Sequence, residues 1–297
     1  MKLPTELTAG TVAELIPQVA ATLDAADLVY GHGTDNAMDE AAALVFFVLG
    51  LDHSQPREAY ATTVTAAARE RVSGLLAERV AGRLPLPYIT GEAWFAGLPF
   101  AVDARVLVPR SPIAELILEQ FEPWVQPDRV RRIVDVGTGS GCIAIGCALA
   151  FPDAEVWATD VSPAALQVAA INATRHGVAD RLRLVETDHC AGLQGPFDLM
   201  VSNPPYVPAA EMADLPAEYR HEPVLGLVSG TDGLDSARRI LQDAAALLAP
   251  HGTLVLEVGA QWEALQQAYP HIAFTWLEFA HGGTGVAVVD RASLAAI

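Results

Sequence analysis

Apolar residues recur in two different rhythms along the chain. Over residues 1–84 the rhythm is helical: segments 11–28, 35–51 and 57–83 place apolar side chains three and four positions apart and are rich in Ala, Leu, Glu and Arg. A polar turn, Tyr30-Gly-His-Gly-Thr-Asp-Asn36, separates the first two segments, with Asp35 or Asn36 as the expected cap of the second. His32 and its neighbours read equally as an interhelical turn or as a recognition surface. Pro85-Leu-Pro-Tyr88 breaks the helical run. Alternation over residues 88–108, centred on Ala96-Gly97, predicts a β-hairpin pairing 89–95 with 100–107. Val108-Pro-Arg-Ser-Pro112 then leads into a helix predicted over 113–124, with Pro112 near its first turn. A rigid loop between two domains is either a linker or a cover over a site.

From Arg131 the rhythm alternates. Segments 133–136, 156–159, 182–185, 199–201 and 253–258 are short, apolar and strand-like, and segments 142–150, 164–175, 235–248 and 261–268 are helix-like. That alternation predicts a doubly wound, mainly parallel α/β sheet. At the end, 274–279 and 285–289 flank Ala-His-Gly-Gly-Thr and predict a closing antiparallel hairpin. The expected organisation is a helical domain over 1–84, a hairpin and linker over 85–111, and an α/β domain over 112–297.

Composition narrows the function. The 297 residues are 52% hydrophobic, enough for a substantial core and against disorder. A net charge of -18 argues against affinity gained by wrapping phosphate backbones, and suits either a basic protein partner or plain solubilising charge. Three cysteines form no disulfide framework; Cys142 and Cys147 lie in an apolar helical stretch, and Cys190 is expected to be inert. No ligand-spaced His/Cys cluster is present, so no metal is expected. The amino terminus, Met-Lys-Leu-Pro-Thr-Glu, carries no apolar signal core and the 41–51 run is too short to span a bilayer, so the expectation is a soluble, cytoplasmic protein without membrane or direct nucleic-acid contact.

Two stretches carry chemistry. The strand at 133–136 runs into Gly137-Thr138-Gly139-Ser140-Gly141 and then a helix, an arrangement that lets a ligand approach the backbone at the positive end of a helix. Asp160 ends the next strand, where a carboxylate can accept both hydroxyls of a ribose. The GxGxG spacing differs from the dinucleotide GxGxxG, so these residues alone indicate an adenosine compound or a dinucleotide. Asp188 and His189, after the third strand, are candidates to face the adenine, or a cap and a turn residue. The second stretch is Asn203-Pro204-Pro205-Tyr206, just past the fourth strand, since prolines cannot continue a ladder. The Asn203 oxygen and the Pro204 carbonyl can accept from one NH2 group, and Tyr206 offers a flat face for a planar amide or base.

Asp135-Val-Gly-Thr-Gly-Ser-Gly141, Asp160 and Asn203-Pro-Pro-Tyr206, in that order, resemble the S-adenosyl-L-methionine-dependent methyltransferases, and within them those that methylate an amide or exocyclic NH2. The helical amino-terminal part and the hairpin make the chain similar to the protein-(glutamine-N5) methyltransferase family. Arg105-Val-Leu-Val-Pro-Arg-Ser-Pro-Ile-Ala-Glu-Leu116, Tyr30-Gly-His-Gly-Thr-Asp-Asn36, Glu218-Tyr-Arg-His-Glu-Pro223, Leu227-Val-Ser-Gly-Thr-Asp-Gly-Leu234 and Phe274-Thr-Trp-Leu-Glu-Phe279 resemble its branch acting on the third large-subunit ribosomal protein (uL3) rather than the one acting on release factors. Asn36-Ala-Met-Asp39 departs from the Pro-Trp pair of that branch. The resemblance implies a Rossmann-like class I methyltransferase domain over 112–297, a small helical substrate-recognition domain and a connecting β-hairpin. It implies that Gly137–Gly141, Asp160, Asp188, His189 and Asn203 face S-adenosyl-L-methionine, that Asn203, Pro204, Pro205 and Tyr206 hold the glutamine, and that uL3 is the protein partner. Asn203, Pro204 and Tyr206 would then carry catalysis by positioning.

Rival readings predict other features. A DNA adenine methyltransferase shares the tetrapeptide but needs a basic groove. A nicotinamide oxidoreductase leaves Asn203–Tyr206 without a purpose. A non-catalytic assembly factor predicts binding without turnover, and the release-factor branch differs only in substrate. The long segment 207–232 is of a length that is often functional; Arg220, His221 and Glu222 there read as protein-substrate contacts or, preferably, as solvated surface.

Overall fold

A computed structural model describes residues 7–51 and 56–296. The amino-terminal Met-Lys-Leu-Pro-Thr-Glu, read above for a signal core, lies outside them. The chain forms two compact units, Met1–Ala93 with Pro216–His221, and Trp94–Leu215 with Glu222–Ile297. No helix among the described residues is long and apolar enough to cross a membrane.

The first unit is helical: α1 (Val12–Asp24), α2 (Ala37–Leu49), α3 (Pro56–Tyr60), α4 (Ala66–Gly82) and α5 (Leu86–Thr90). The Glu14 carboxylate accepts from the backbone N–H groups of Gly10 and Thr11, satisfying donors at the start of α1. Asn36, of the two candidate caps, accepts from Asp39 N–H at 2.9 Å. The helix expected over 57–83 is two helices, because the run Thr62-Thr-Val-Thr65 is β-branched and weak in helix propensity. Thr63 instead forms a β-bridge with Thr11, and Thr65 caps α4. Pro85 does not simply break the chain; it stands as the cap of α5.

Inside this unit lies a buried charged cluster. Arg79, 1% exposed, donates to Glu40 at 2.7 Å and lies 3.6 Å from Glu218. Glu218 is completely buried, pairs with Arg83 at 2.8 Å and accepts from Val29 N–H. The segment Pro216–His221, which follows the Asn203–Tyr206 stretch in sequence, thus belongs to the helical unit, and His221 Nε2 sits 2.9 Å from Gly82 O.

The strand β1 (Glu92–Phe95) pairs with β2 (Leu98–Ala101), a shorter hairpin than expected. Two side chains end β2. Asn172 takes both hydrogen-bonding groups of Ala101, and Asp103 turns the chain by accepting from Arg105 N–H. The helix expected over 113–124 stops early as α6 (Ile113–Leu118), since Gln120 and Phe121 adopt the left-handed backbone conformation.

The second unit is built on β3 (Arg132–Val136), α7 (Cys142–Ala150), β4 (Glu155–Asp160), α8 (Pro163–Arg175), β5 (Leu182–Glu186), β6 (Phe197–Ser202), α9 (Asp235–Leu247), β7 (Leu248–Glu257), α10 (Trp262–Ala268), β8 (Thr275–Trp276) and β9 (Val286–Asp290). The sheet order is β5-β4-β3-β6-β7-β9-β8, with the first five strands parallel and β9 antiparallel to both neighbours. This is the doubly wound, mainly parallel sheet that the alternation predicted. The closing hairpin is present with a two-residue β8. Both sheet faces are buried: Ile133, Val156 and Leu199 belong to one apolar cluster, and Val134, Met200 and Leu254 to another. All three cysteines are buried and free, and burial pushes the Cys142 and Cys190 thiols up to about 12.

Removing one member of a buried ion pair leaves the other charge stranded, at a cost of about 3–5 kcal/mol. Arg79→Ala strands the buried Glu40 and leaves Glu218 only Arg83 and the Val29 N–H, whereas Glu218→Ala leaves Arg79 its pair with Glu40. Chemical denaturation followed by circular dichroism is expected to rank the helical unit's stability as wild type, then Glu218→Ala, then Arg79→Ala.

Candidate active site

The register of the parallel strands decides what meets at their carboxyl ends. Asp135 is level with Val201 of β6 and with Ala158 of β4. The chain therefore leaves β3, β4 and β6 side by side, as Gly137, Asp160 and Asn203. This is the sheet edge at which open α/β folds bind ligands.

The turn after β3 is held from several directions. Gly137 N–H and Thr138 N–H donate to Thr159 O, and Gly139 N–H donates to one Asp160 oxygen at 2.9 Å. The other Asp160 oxygen accepts from Ser162 N–H at 2.9 Å. Burial raises the Asp160 carboxyl above its ordinary pKa, against these backbone bonds. Beneath the turn, Asp135 is fully buried; its Oδ2 accepts from Thr138 Oγ1 at 2.6 Å and from Ala144 N–H, and burial pushes its carboxyl up to about 7. Gly141 closes the turn at φ +81°, and a Cβ there would stand 3.1 Å from Ala169 Cβ and 3.2 Å from Ile145 Cδ1. Glycine thus serves both the backbone conformation and the packing of α7 on α8.

After β6, Ser202 Oγ donates to Val136 O at 2.6 Å and ties the two strand ends together. The Asn203 side chain forms no hydrogen bond with any other described residue, and Pro204 beside it is buried. Val207 N–H donates to Leu227 O and Ser229 N–H to Val207 O, so the prolines are held from both sides.

These residues line one cavity of about 250 Å³. Gly137, Thr138, Gly139 and Ser140 form one wall, with Asp160, Asp188 and His189 beside them and Asn203, Pro204 and Pro205 across. His189 Nδ1 lies 2.7 Å from Asp188 Oδ1. Gly141 and Tyr206 are not in the lining. The Tyr206 ring packs on Gly259, where a Cβ would come within 2.7 Å of Cε2. Thr138 and Ser140 are 5% and 2% exposed, which leaves Gly137 and Gly139 as the accessible part of the turn.

Residues singled out only as a linker or as surface also build the cavity. Val108, Pro109, Arg110 and Ser111 line it, as do Pro223, Leu225 and Gly226. Two buried carboxylates hold the 108–111 segment. Glu222, 3% exposed, accepts from Val108 N–H and takes Arg110 in a two-pronged pair at 2.8 and 2.7 Å. Glu257, 5% exposed, receives Ser111 Oγ at 2.5 Å. The expectation that Glu222 is solvated surface is therefore corrected: it is a buried structural anchor. Arg220 is exposed and His221 half-buried. The signal available in the sequence was the Pro-Arg-Ser-Pro stretch itself, whose arginine required an acidic partner once buried.

The site so assembled is a backbone turn at a helix start, a carboxylate, and a rigid amide across one cavity. Residues 113–217 match the methyltransferase small domain family. The chain is 43% identical over 285 residues to the ribosomal protein uL3 glutamine methyltransferase of Neisseria meningitidis serogroup B, covering 96% of this chain and 94% of that one. It is 42% identical over 285 residues to the protein of the same name from Neisseria gonorrhoeae, covering 96% and 95%. Among solved structures, the catalytic domain of hMettl16 in complex with a MAT2A 3'UTR hairpin superposes with a TM-score of 0.53 at 15% identity, over 78% of this chain and 85% of that one, a likeness of fold alone. With its sheet, its strand-end turn and near-complete coverage at this identity, the chain belongs to the family of ribosomal protein uL3 glutamine methyltransferases.

Proposed function

We propose that this protein transfers a methyl group from S-adenosyl-L-methionine to the side-chain amide nitrogen (N5) of a glutamine in ribosomal protein uL3. The observation that carries the reading is the Asn203 amide, without a hydrogen bond to any other described residue, on a proline-stiffened turn that shares a cavity with the glycine turn and Asp160. Membership of the uL3 glutamine methyltransferase family supports the substrate, and a ribosomal-protein substrate supports a cytoplasmic location.

The cavity fits the cofactor. Gly137 and Gly139 offer accessible backbone just before the start of α7, and Asp160 keeps carboxylate lone pairs for ribose hydroxyls beyond its bonds to Gly139 and Ser162 N–H. Asp188 and His189, which line the same cavity, are the residues we assign to the adenine. When bound, the cofactor supplies a methyl group made electrophilic by its sulfonium. Everything else falls to the chain. An amide nitrogen is a poor nucleophile because its lone pair is delocalised into the carbonyl. Asn203 Oδ1 and the Pro204 carbonyl accept from its two N–H groups, which fixes the nitrogen in line and favours localisation of the lone pair. Pro205 stiffens the turn, and Tyr206, seated on Gly259, supports it from behind. No general base is needed before transfer, because the proton becomes acidic once the new N–C bond forms. The helical part, residues 1–84, is the region we assign to recognition of uL3, with 85–111 as hairpin and linker and 112–297 as the catalytic domain.

Two variants separate the roles. Asn203→Ala is expected to lower kcat on uL3 by about 10²–10³-fold, with calorimetric affinity for S-adenosylhomocysteine changed by no more than about threefold. Asp160→Asn is expected to weaken that affinity by more than about tenfold, because a hydrogen bond to a charged group contributes about 1.5–3 kcal/mol. Unchanged turnover in Asn203→Ala would contradict the assignment.

A further inference from the structure

The pair Ser111–Glu257 is not used by the mechanism above, yet Ser111 belongs to the cavity wall and Glu257 is a buried acid. Its place in the sheet is informative. β7 neighbours β6 on the side away from β3, and Ser202 is level with Leu256, so Glu257 stands beside Asn203. The glycine turn and Asp160 lie on the other side of β6. Ser111 therefore enters the cavity from the side where the substrate amide, rather than the cofactor, has to reach Asn203.

Resting on the reading above, we propose that Ser111 Oγ donates a hydrogen bond to the carbonyl oxygen of the substrate's side-chain amide, and that Glu257 is the positioning residue that releases or withholds that hydrogen. A primary amide buried in the cavity presents two N–H groups and one carbonyl. Asn203 and Pro204 account for the N–H groups, and a desolvated carbonyl left without a donor costs about 1–3 kcal/mol. Ser111 has one hydrogen and two lone pairs. One lone pair already accepts from Ile113 N–H at 3.1 Å. When Glu257 is a carboxylate, the Ser111 hydrogen points to it at 2.5 Å. When Glu257 is protonated, its own O–H fills the second lone pair of Ser111, and the hydroxyl hydrogen turns to the cavity.

The titration falls in an accessible range. Burial pushes the Glu257 carboxyl up to about 7, against the opposing pull of the Ser111 hydrogen bond and of the Arg110 charge. Arg110 is the charged group that faces it, with Glu222 behind Arg110. On β9 the register partner is the apolar Val286, and on β7 the preceding residue is Leu256. The sign follows directly: the donor is available below about pH 7 and withheld above it. A hydrogen bond to the ground-state carbonyl does not strengthen as the lone pair localises, so its loss appears in KM more than in kcat.

The test is a pH series of initial rates on uL3 for wild type, E257Q and S111A, with calorimetry of S-adenosylhomocysteine alongside. Wild-type KM for uL3 is expected to rise roughly five- to tenfold between about pH 6 and about pH 8. In E257Q, KM is expected to be independent of pH over that range. In S111A it is expected to be equally flat, at the wild type's high-pH value. S-adenosylhomocysteine affinity is expected to follow one and the same pH profile in all three, set by Asp135 and Asp160 beneath and beside the glycine turn, which also reports that the variants fold. A break near pH 7 that persists in E257Q, or an unchanged KM in S111A, overturns the proposal while leaving the methyl transfer intact. So does a pH profile of S-adenosylhomocysteine affinity that changes in S111A or E257Q, since Ser111 would then serve the cofactor side. No transfer to uL3 by the wild type would overturn the underlying reading and this one together.

Discussion

The hydrogen bond from Ser202 Oγ to Val136 O joins the ends of β3 and β6, and the site depends on that junction. Parallel strands in register deliver their carboxyl ends at one level. The β3–β6 register therefore sets the distance between a backbone turn suited to an adenosine cofactor and an amide suited to a planar NH2. A slip of one residue would invert every side chain on β6 and send Asn203 away from the turn. Apolar burial on both faces of the sheet opposes such a slip, because Leu199 and Met200 point into different clusters.

A second constraint is electrostatic. Within the catalytic unit, two buried glutamates from distant parts of the chain hold the short 108–111 segment against the cavity. Glu222 neutralises Arg110, and Glu257 fixes Ser111. In the helical unit, Glu218 engages Arg79 and Arg83. Glu218 and Glu222 both lie in the middle of the stretch after Asn203–Tyr206, and each is a buried carboxylate committed to an arginine. Its length reflects ionic anchoring rather than a free surface loop, and the net charge of -18 includes acids that never meet solvent.

Much of this was legible in the sequence because it rests on local rules. The switch in apolar period at Arg131 marks the sheet, and glycine and proline punctuation places the turns after β3 and β6 at strand ends. Elements were misjudged where a distant side chain decided the outcome. Asn172 takes the hydrogen-bonding groups of Ala101 and ends β2, while Thr11 pairs with Thr63 and divides a helix. The same limit explains Glu222, whose burial depends on Arg110 more than a hundred positions away in sequence. Tyr206 follows the expected stretch but turns to Gly259, since a strand-to-helix turn left room for its ring. Family resemblance supplied the cofactor and the substrate. The residues alone reached only a planar NH2 beside an adenosine compound.

The central claim is that the cavity methylates a glutamine amide, and the direct measurement is where the methyl group goes. Purified enzyme would be given labelled S-adenosyl-L-methionine with uL3, a release factor and duplex DNA in parallel, and the labelled residue mapped by mass spectrometry. The account predicts a single N5-methylglutamine in uL3 and no label in DNA. Label confined to the release factor would contradict the substrate, and label on any atom other than an amide nitrogen would contradict the role of Asn203.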